Sequence, residues 1–467
     1  MSNVQAIIVT WNKKNDVICL LDQLKNINYP KSKLEITVVD NNSDDGTVEA
    51  VESGFPRVNL IRNRENLGGA GGFNTGMRWV MENRPDAEYL WLLDNDVLVD
   101  RNALKELVAV MEKTPQAGIC GSKIMDIDNR HEMIELGAFI DYNAGDVRRN
   151  MPPPEALQNP ESVFEVDYVA ACSLLARGRL VKKLGIWHEK FFIYWDDMEW
   201  GARFNAAGYK VLASNASLVY HPSWAGRVAD TAAIWRNYYR TRNSLWFYNN
   251  YCSGIRRRLL LIKMITRFMK IATYTSLVYE TALSQAYVRG VRDFFINNYG
   301  KKEFSLPFGN VEEYLSSKKG NACVFIHDSG TSETGKKFVS DLVKKYPETR
   351  TLAVVPHGEE YKWRKLCDKG DIVTYTRMEN GRIPWSDKYE IMKFLKNSSW
   401  DVLLTSHEVP RMGAIWGKDI ARTDFERGDT IASVEKMSLK HLCLIPIAAL
   451  SFWIQALFCP PRKELEK

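Results

Sequence analysis

A chain of 467 residues and 53.6 kDa has room for about three domains at roughly 150 residues each, every one with a sizeable core. Hydrophobic residues make up 45% and charged residues 26%, with 29 Gly and 17 Pro, which excludes a disordered, collagenous or small disulfide-stapled protein. Sixty-three Lys plus Arg against 57 Asp plus Glu leave a net +6, a surplus that matters only where the basic residues cluster.

The first 120 residues alternate strand-length apolar runs with helix-period segments. Val4 to Thr10 reads as a strand, and Asp16 to Ile27 as a helix with Val17, Ile18, Leu20, Leu21, Leu24 and Ile27 on one stripe. Leu34 to Asp40 is the next strand. A short helix after Gly46, a strand at Val58 to Ile61, a helix through Phe73, Met77, Val80 and Met81, and a strand at Tyr89 to Leu93 follow. Such a series predicts a mostly parallel sheet with helices on both faces and ligands at the carboxyl ends of its strands. The polar strand ends are therefore the first candidates: Thr10-Trp11-Asn12, Asp40 to Gly46, and Asp94-Asn95-Asp96.

Asp100 is placed to cap a helix from Asn102 to Lys113, and a Pro-rich loop from Met151 to Pro160 is expected to divide this half from a second one ending near His221. Thr231 to Tyr279 holds nine Arg or Lys and no Asp or Glu. With Leu259 to Ile262 inside it, this predicts a basic amphipathic helical region suited to a membrane surface or, failing that, a solvated helix; nothing resembles an RNA-binding motif, so no nucleic-acid partner is expected. Beyond Gly320, strands at Ala322 to His327, Thr351 to Val355 and Asp401 to Thr405 and a helix at Glu333 to Lys345 predict a second, smaller α/β unit. Leu442 to Phe458 is 17 residues long and carries Pro446 and Gln455. That length lies at the bottom of the spanning range, so the segment reads as interfacial. The domain expectation is 1–230 for catalysis, 231–319 for the basic helices, 320–435 for the small α/β unit, and 436–467 for an amphipathic tail. The eight cysteines lack metal-ligand spacing and the N-terminus runs straight into a strand, which reads as a reduced, cytoplasmic chain.

Asp94 and Asp96, ending an apolar strand, are hard oxygen donors of the kind Mg²⁺ or Mn²⁺ uses beside a diphosphate; the alternative is a turn cap. Trp195-Asp196-Asp197-Met198-Glu199-Trp200 crowds three carboxylates between aromatics, which raises a carboxyl pKa toward a general base and offers faces to a sugar ring. His221 ends another strand and acquires a partner only if the acidic pair holds a metal. Asn66 to Asn74 carries Gly68, Gly69, Gly71 and Gly72. It fails as a nicotinamide fingerprint, yet its glycines allow a diphosphate near a helix start, or else a tight turn with close helix packing.

Together, Val9 to Asn12, Val38 to Thr47, Asn66 to Asn74, Leu92 to Asp96 and Trp195 to Trp200, five motifs in order over roughly residues 1–250, resemble an inverting family 2 glycosyltransferase of the GT-A fold. They look most like bacterial galactofuranosyltransferases, with dTDP-rhamnose enzymes as near neighbours. The resemblance implies a Rossmann-like catalytic domain in which Asp40 reads the nucleotide base with the Thr10 loop. It assigns Thr10, Asn12, Asp40, Asn66, Gly68, Gly69, Asp94 and Asn95 to the nucleotide sugar, UDP-linked by preference. Asp94, Asp96 and His221 match the ligands of Mn²⁺ or Mg²⁺, Asp197 matches the catalytic base, and Trp195, Asp196, Glu199 and Trp200 lie on the acceptor side. Asn95 departs from the all-Asp metal motif of galactofuranosyltransferases, which bears on the sugar more than on the reaction. The implied acceptor is a lipid-linked saccharide, reached by an enzyme peripheral on the inner face of the membrane; homo-oligomerisation is left open. A nucleotidyltransferase, or a binding module without turnover, is the alternative from another class. The first lacks its basic Gly-rich loop here, and the second is at odds with a complete acidic set.

Overall fold

The computed structural model describes residues 1–222, 231–277 and 281–304, then 311, 315, 322–327, 333–347, 349–364, 371–376, 386–387, 389–390, 393, 402–405, 419–423, 431–435, 439–461 and 463. The N-terminal alternation is present as β1 (Val4–Thr10), α1 (Lys14–Lys25), β2 (Leu34–Asp40), α2 (Thr47–Gly54), β3 (Asn59–Arg62), α3 (Gly68–Asn83) and β4 (Tyr89–Asp94). There follow β5 (Leu98–Val99), α4 (Ala103–Lys113), β6 (Ala117–Asp126), β7 (Met133–Glu135), and a separate hairpin of β8 (Ala138–Asp141) and β9 (Asp146–Arg149). The helix expected from Asn102 starts at Ala103. Asp100 does not cap it: its carboxylate accepts the Asn102 N–H at 2.8 Å and closes the preceding turn.

The expected division at the Pro-rich loop is not found. Residues 154–158 form α5 (Pro154–Gln158), and the chain then returns to the same sheet through β10 (Val163–Val166), β11 (Ser173–Arg177) and β12 (Lys210–His221). The strand order is β10-β12-β6-β11-β4-β1-β2-β3, with β5 and β7 attached at one side. β11 inserts antiparallel between β4 and β6, whereas β1 to β4 run parallel. Strand alternation sorts the core by face. Ile7, Leu90 and Leu92 meet α3 through Phe73 and Met77, while Ala6, Ile8, Trp91 and Leu93 meet α1 and α4 through Leu20, Leu21, Leu104 and Leu107.

After α6 (Gly178–Leu184) and α7 (Asp196–Ala206), the long helices α8 (Thr231–Tyr251), α9 (Gly254–Leu277) and α10 (Thr281–Phe295) cover the α3 face. Packing does not break at residue 231: Leu245, Trp246, Phe247, Leu261 and Met264 share one core with Phe73, Trp187 and Trp200. Several of the basic residues here are engaged within the fold. Arg242 is fully buried, and Arg256, Lys263 and Arg267 reach the turn of the β8–β9 hairpin at Asn143, Gly145 and Asp146. A second sheet, of order β15-β14-β13-β16-β17-β18, is built from β13 (Ala322–His327), β14 (Arg350–Pro356), β15 (Asp371–Tyr375), β16 (Val402–Thr405), β17 (Asp419–Thr423) and β18 (Ile431–Glu435), with α11 (Glu333–Lys345) between β13 and β14. All its pairs are parallel except β17 with β18. The final helix α12 (Leu439–Phe458) returns to the first unit, where Ile445, Ala449, Phe452 and Ala456 join the α8–α10 core.

Gly76 shows how closely α3 lies on the sheet: a Cβ there would sit 2.4 Å from Ile7 Cγ2 and 3.2 Å from Val39 Cγ2. Although Ala is the better helix former by about 1 kcal/mol, Gly76→Ala should destabilise by about 1–3 kcal/mol because overpacking outweighs propensity. A lower midpoint in urea unfolding followed by circular dichroism checks it.

Candidate active site

Register brings the strand-end residues together. Thr10 pairs with Asp40 and Val9 with Asp94, so the first, second and fourth strands end on one edge. Thr10 is buried and accepts a hydrogen bond from Asn95 Nδ2 at 2.9 Å. Asn12 donates its N–H to Ser43 Oγ and accepts the Asp44 N–H, lacing the first loop to the second. Asp40 is 1% exposed; its Oδ2 accepts the Ser43 N–H, while Oδ1 is buried without a hydrogen-bond partner among the described residues. A buried acceptor left unpaired costs about 1–3 kcal/mol, and this oxygen keeps spare acceptor capacity at the sheet edge.

The glycine run divides into two uses. Gly72, like Gly76, serves packing: a Cβ would lie 2.5 Å from Val9 Cγ1. Gly68 serves the site. Its φ is +72°, its N–H is held by Asn66 Oδ1 and its carbonyl by Asn41 Nδ2, and a Cβ would fall 2.1 Å from the Phe192 carbonyl. A Cβ on Gly69 would stand 3.8 Å from Asp196 Oδ2. The loop after β3 therefore abuts the Trp-Asp-Asp segment directly.

Asp94, Asp96 and His221 converge, with one ligand atom from each lying within 4.8 Å of the others. The cause is topological: after Asp96 the chain turns into β5, which pairs antiparallel with β12 so that Leu98 faces Tyr220. That puts His221 Nε2 3.3 Å from Asp96 Oδ1. His221 Nδ1 donates to the Pro222 carbonyl at 2.9 Å, leaving Nε2 for the acidic side, the arrangement of a metal-ligating imidazole. Burial and the neighbouring charge of Asp96 push Asp94 up to about 7. Burial alone would raise Asp96 as well, but the His221 hydrogen bond and charge bring it below the ordinary carboxylate range. Two carboxylates and an imidazole, held apart in protonation until a cation neutralises them, fit Mg²⁺ or Mn²⁺.

The segment before α7 is strained. Phe192, Tyr194 and Trp195 have φ of 67°, 65° and 73°, costing of order 1–3 kcal/mol each for non-glycine residues. This turn starts α7 at Asp196. Asp197 is partly buried, receives the Met198 N–H at 2.8 Å, and is pushed up to about 6 by burial against the opposing pull of the Met198 and Ala171 N–H groups. Asp196 is raised well above the usual range by burial and by Asp197.

Glu199 and Trp200 are not on the open side, contrary to their expected acceptor role. Glu199 is fully buried, paired with Arg203 and receiving the Tyr251 hydroxyl at 2.8 Å. Trp200 is fully buried against Trp187 and Phe204 and donates to the Gly185 carbonyl. Trp195, 7% exposed, packs on Phe247 and Tyr248. Conversely, Glu135 at the end of β7 joins the acidic group unannounced. Burial and the charge of Asp197 push it up to about 7, and its Oε1 is buried without a hydrogen-bond partner among the described residues. A lone Glu between Ile134 and Leu136 in an apolar strand was the available signal.

The fold is a mostly parallel α/β sheet with an acidic, histidine-bearing group at its carboxyl edge. Residues 5–182 match the family described as Glycosyl transferase family 2, and the chain carries a domain of that family. It is 22% identical over 267 residues to galactofuranosyltransferase GlfT2 of Mycolicibacterium smegmatis, covering 52% of this chain and 40% of that one. It is 25% identical over 209 residues to the N-acetylglucosaminyl-diphospho-decaprenol L-rhamnosyltransferase of Mycobacterium tuberculosis, covering 40% and 66%. The chain thus spans less than two thirds of either relative. Among solved structures, residues 1–349 of Staphylococcus aureus TarS align at 14% identity with a TM-score of 0.42, covering 63% of this chain and 80% of that one.

If Glu199 and Arg203 are packing groups, Arg203→Ala should cost about 3–5 kcal/mol by leaving a buried carboxylate uncompensated. The check is a denaturation curve beside donor affinity measured on the folded fraction: stability should fall and affinity should not.

Proposed function

We propose that the chain is an inverting glycosyltransferase that moves a hexose from a nucleotide sugar to a lipid-linked saccharide. The observation that carries this is the placing of the Asp94–Asp96–His221 group and Asp197 at the same sheet edge as the unsatisfied Asp40 carboxylate. Asp40, with Thr10 and Asn12 shaping its loop, receives the base; Asn66, Gly68 and Gly69 let the donor approach the backbone; Asn95 ties Thr10 to the acidic turn. Asp94, Asp96 and His221 would hold Mn²⁺ or Mg²⁺, which when bound neutralises charge on the nucleoside diphosphate. Asp197 takes the proton of the acceptor hydroxyl as its oxygen bonds to the anomeric carbon and the bond to the diphosphate breaks on the opposite face. Asp196 orients the acceptor. UDP-galactofuranose is the favoured donor, in keeping with the name of the first relative, and dTDP-rhamnose the second reading, in keeping with the other.

Incubation of the full chain with each nucleotide sugar and Mn²⁺ or Mg²⁺, scored for nucleoside diphosphate release, tests the reading. Release should require acceptor and cease in excess chelator. Asp197→Asn should lower transfer by about 10²-fold to 10⁴-fold with donor affinity nearly intact. Because the base acts ionised and Asp197 is raised to about 6, the rate should fall as pH drops through that value. Full transfer in excess chelator, or by Asp197→Asn, would overturn the assignment.

The same proposal places the enzyme peripherally on the cytoplasmic face of the membrane. Lys440–Phe458 is long and apolar enough to cross a bilayer by length and composition, yet one face is packed on the core. The other exposes Leu444, Ile447, Leu450, Ile454 and Phe458, with Ile255 and Leu259 of α9 also exposed and Arg256 between them. One buried and one bare apolar face suit a helix lying in the interface. Cosedimentation with anionic vesicles should weaken as salt rises, since each exposed basic residue contributes about 1 kcal/mol and is screened within a Debye length, and Ile447→Asp with Ile454→Asp should release the protein. Equal binding to neutral and anionic vesicles would count against it.

A further inference from the structure

The strained turn before α7 is held from outside by two residues of α8. Arg242 and Asn243 are both fully buried. Arg242 Nε donates to Asn243 Oδ1 at 2.9 Å, which turns the Asn243 amide so that its NH₂ faces the turn. Asn243 Nδ2 then donates to the carbonyls of Phe191, Ile193 and Tyr194 at 3.1, 2.9 and 2.9 Å. Arg242 Nη2 donates to those of Lys190 and Phe191 at 3.2 and 3.0 Å. The remaining carbonyl, of Phe192, accepts the Ala70 N–H at 3.1 Å from the glycine loop. Every carbonyl from Lys190 to Tyr194 is therefore engaged, and the next one, of Trp195, opens α7 by accepting the Glu199 N–H.

A chain with three non-glycine residues at positive φ relaxes unless its surroundings over-determine it. Here one amide and one guanidinium, neither on the segment itself, hold four of the five carbonyls from Lys190 to Tyr194, and the Ala70 N–H holds the fifth. Asp197 follows the turn by two residues, so a shift in the turn moves its carboxylate. We infer that Asn243, oriented by Arg242, is a positioning residue for the base: it fixes the Phe191–Trp195 turn and so sets where Asp197 meets the acceptor hydroxyl. The inference rests on Asp197 being the base. On the donor side the Gly68 loop meets the turn at Phe192, whose carbonyl accepts the Ala70 N–H, and lies beside Ile193 and Asp196; Asn243 and Arg242 hold the other carbonyls of the turn, so loosening them acts first on the turn and α7 and less on the donor loop.

The test is steady-state kinetics of full-length Asn243→Ser and Arg242→Lys beside donor affinity by calorimetry. Misplacing a reacting group by about 1 Å costs on the order of 10²-fold in rate. Asn243→Ser, which cannot span three carbonyls, should therefore lose kcat by about 30-fold to 100-fold. Arg242→Lys, which keeps the charge but loses the fork, should lose less. Both should keep the donor Kd within about threefold. Should Asn243→Ser fail to fold, Arg242→Lys is read alone by the same split. A folded variant with kcat within about threefold of wild type, a parallel loss of donor affinity, or failure of both variants to fold overturns the inference. Absence of transfer by the wild-type chain would instead overturn the proposed function.

Discussion

Five carboxyl groups, of Asp94, Asp96, Glu135, Asp196 and Asp197, share one end of the first sheet, and their burial beside one another is the constraint to which the neighbouring structure answers. Burial raises Asp94, Glu135 and Asp196, and neighbouring carboxylates, Asp96 at Asp94 and Asp197 at Glu135 and Asp196, raise them further. The His221 hydrogen bond and charge work the other way at Asp96, and the Met198 and Ala171 N–H groups offset part of the burial at Asp197. Perturbed, buried carboxyls gathered at one sheet end are more often found at functional sites than in stability frameworks. Their surroundings differ: backbone N–H donors at Asp197, an imidazole at Asp94 and Asp96.

Much of this was legible in the sequence because it follows short-range rules. Strand-length apolar runs located β1, β2 and β4, and with them Thr10, Asp40 and Asp94. What was not legible depends on which side of an element faces what. Trp195 to Trp200 reads as carboxylates between aromatic walls, but a helix starting at Asp196 puts Glu199 and Arg203 one turn apart and turns both toward Tyr251. The aromatics follow the core. The basic run gives a charge and no direction: Arg242 went into the interior, and Arg267 to Asp146. Glu135 was missed because a strand of three residues carries too little pattern to assign a face.

Domain limits drawn from composition meet the same difficulty. A change from α/β alternation to basic helices at residue 231 is real in sequence, yet the hydrophobic core runs through it, and α12, nearly 200 residues beyond α8, returns to the same core. Asn249 Nδ2 donates to the Pro461 carbonyl, so the end of α8 and the chain after α12 are joined as well. Helices that read as an appendage are one side of the site's frame.

The frame also decides where variation is tolerated. On one side the contacts that set spacing meet backbone groups: Asn41 Nδ2 donates to the Gly68 carbonyl, the Ala70 N–H to the Phe192 carbonyl, and Gly68 stands where no side chain fits. The spacing between the glycine loop and the turn before Asp197 is therefore set largely at the main chain. On the other side the turn is held by α8, whose Tyr239 and Trp235 stack on Phe192 and Tyr194 while Arg240 lies over Tyr194. Tyr239 is buried, whereas Trp235 is partly exposed and Arg240 exposed, so the last two tolerate change in size and charge more readily. One helix thus carries both the buried Arg242 and Asn243 that fix the turn and the more open side chains that border it, and its two kinds of residue tolerate substitution very differently.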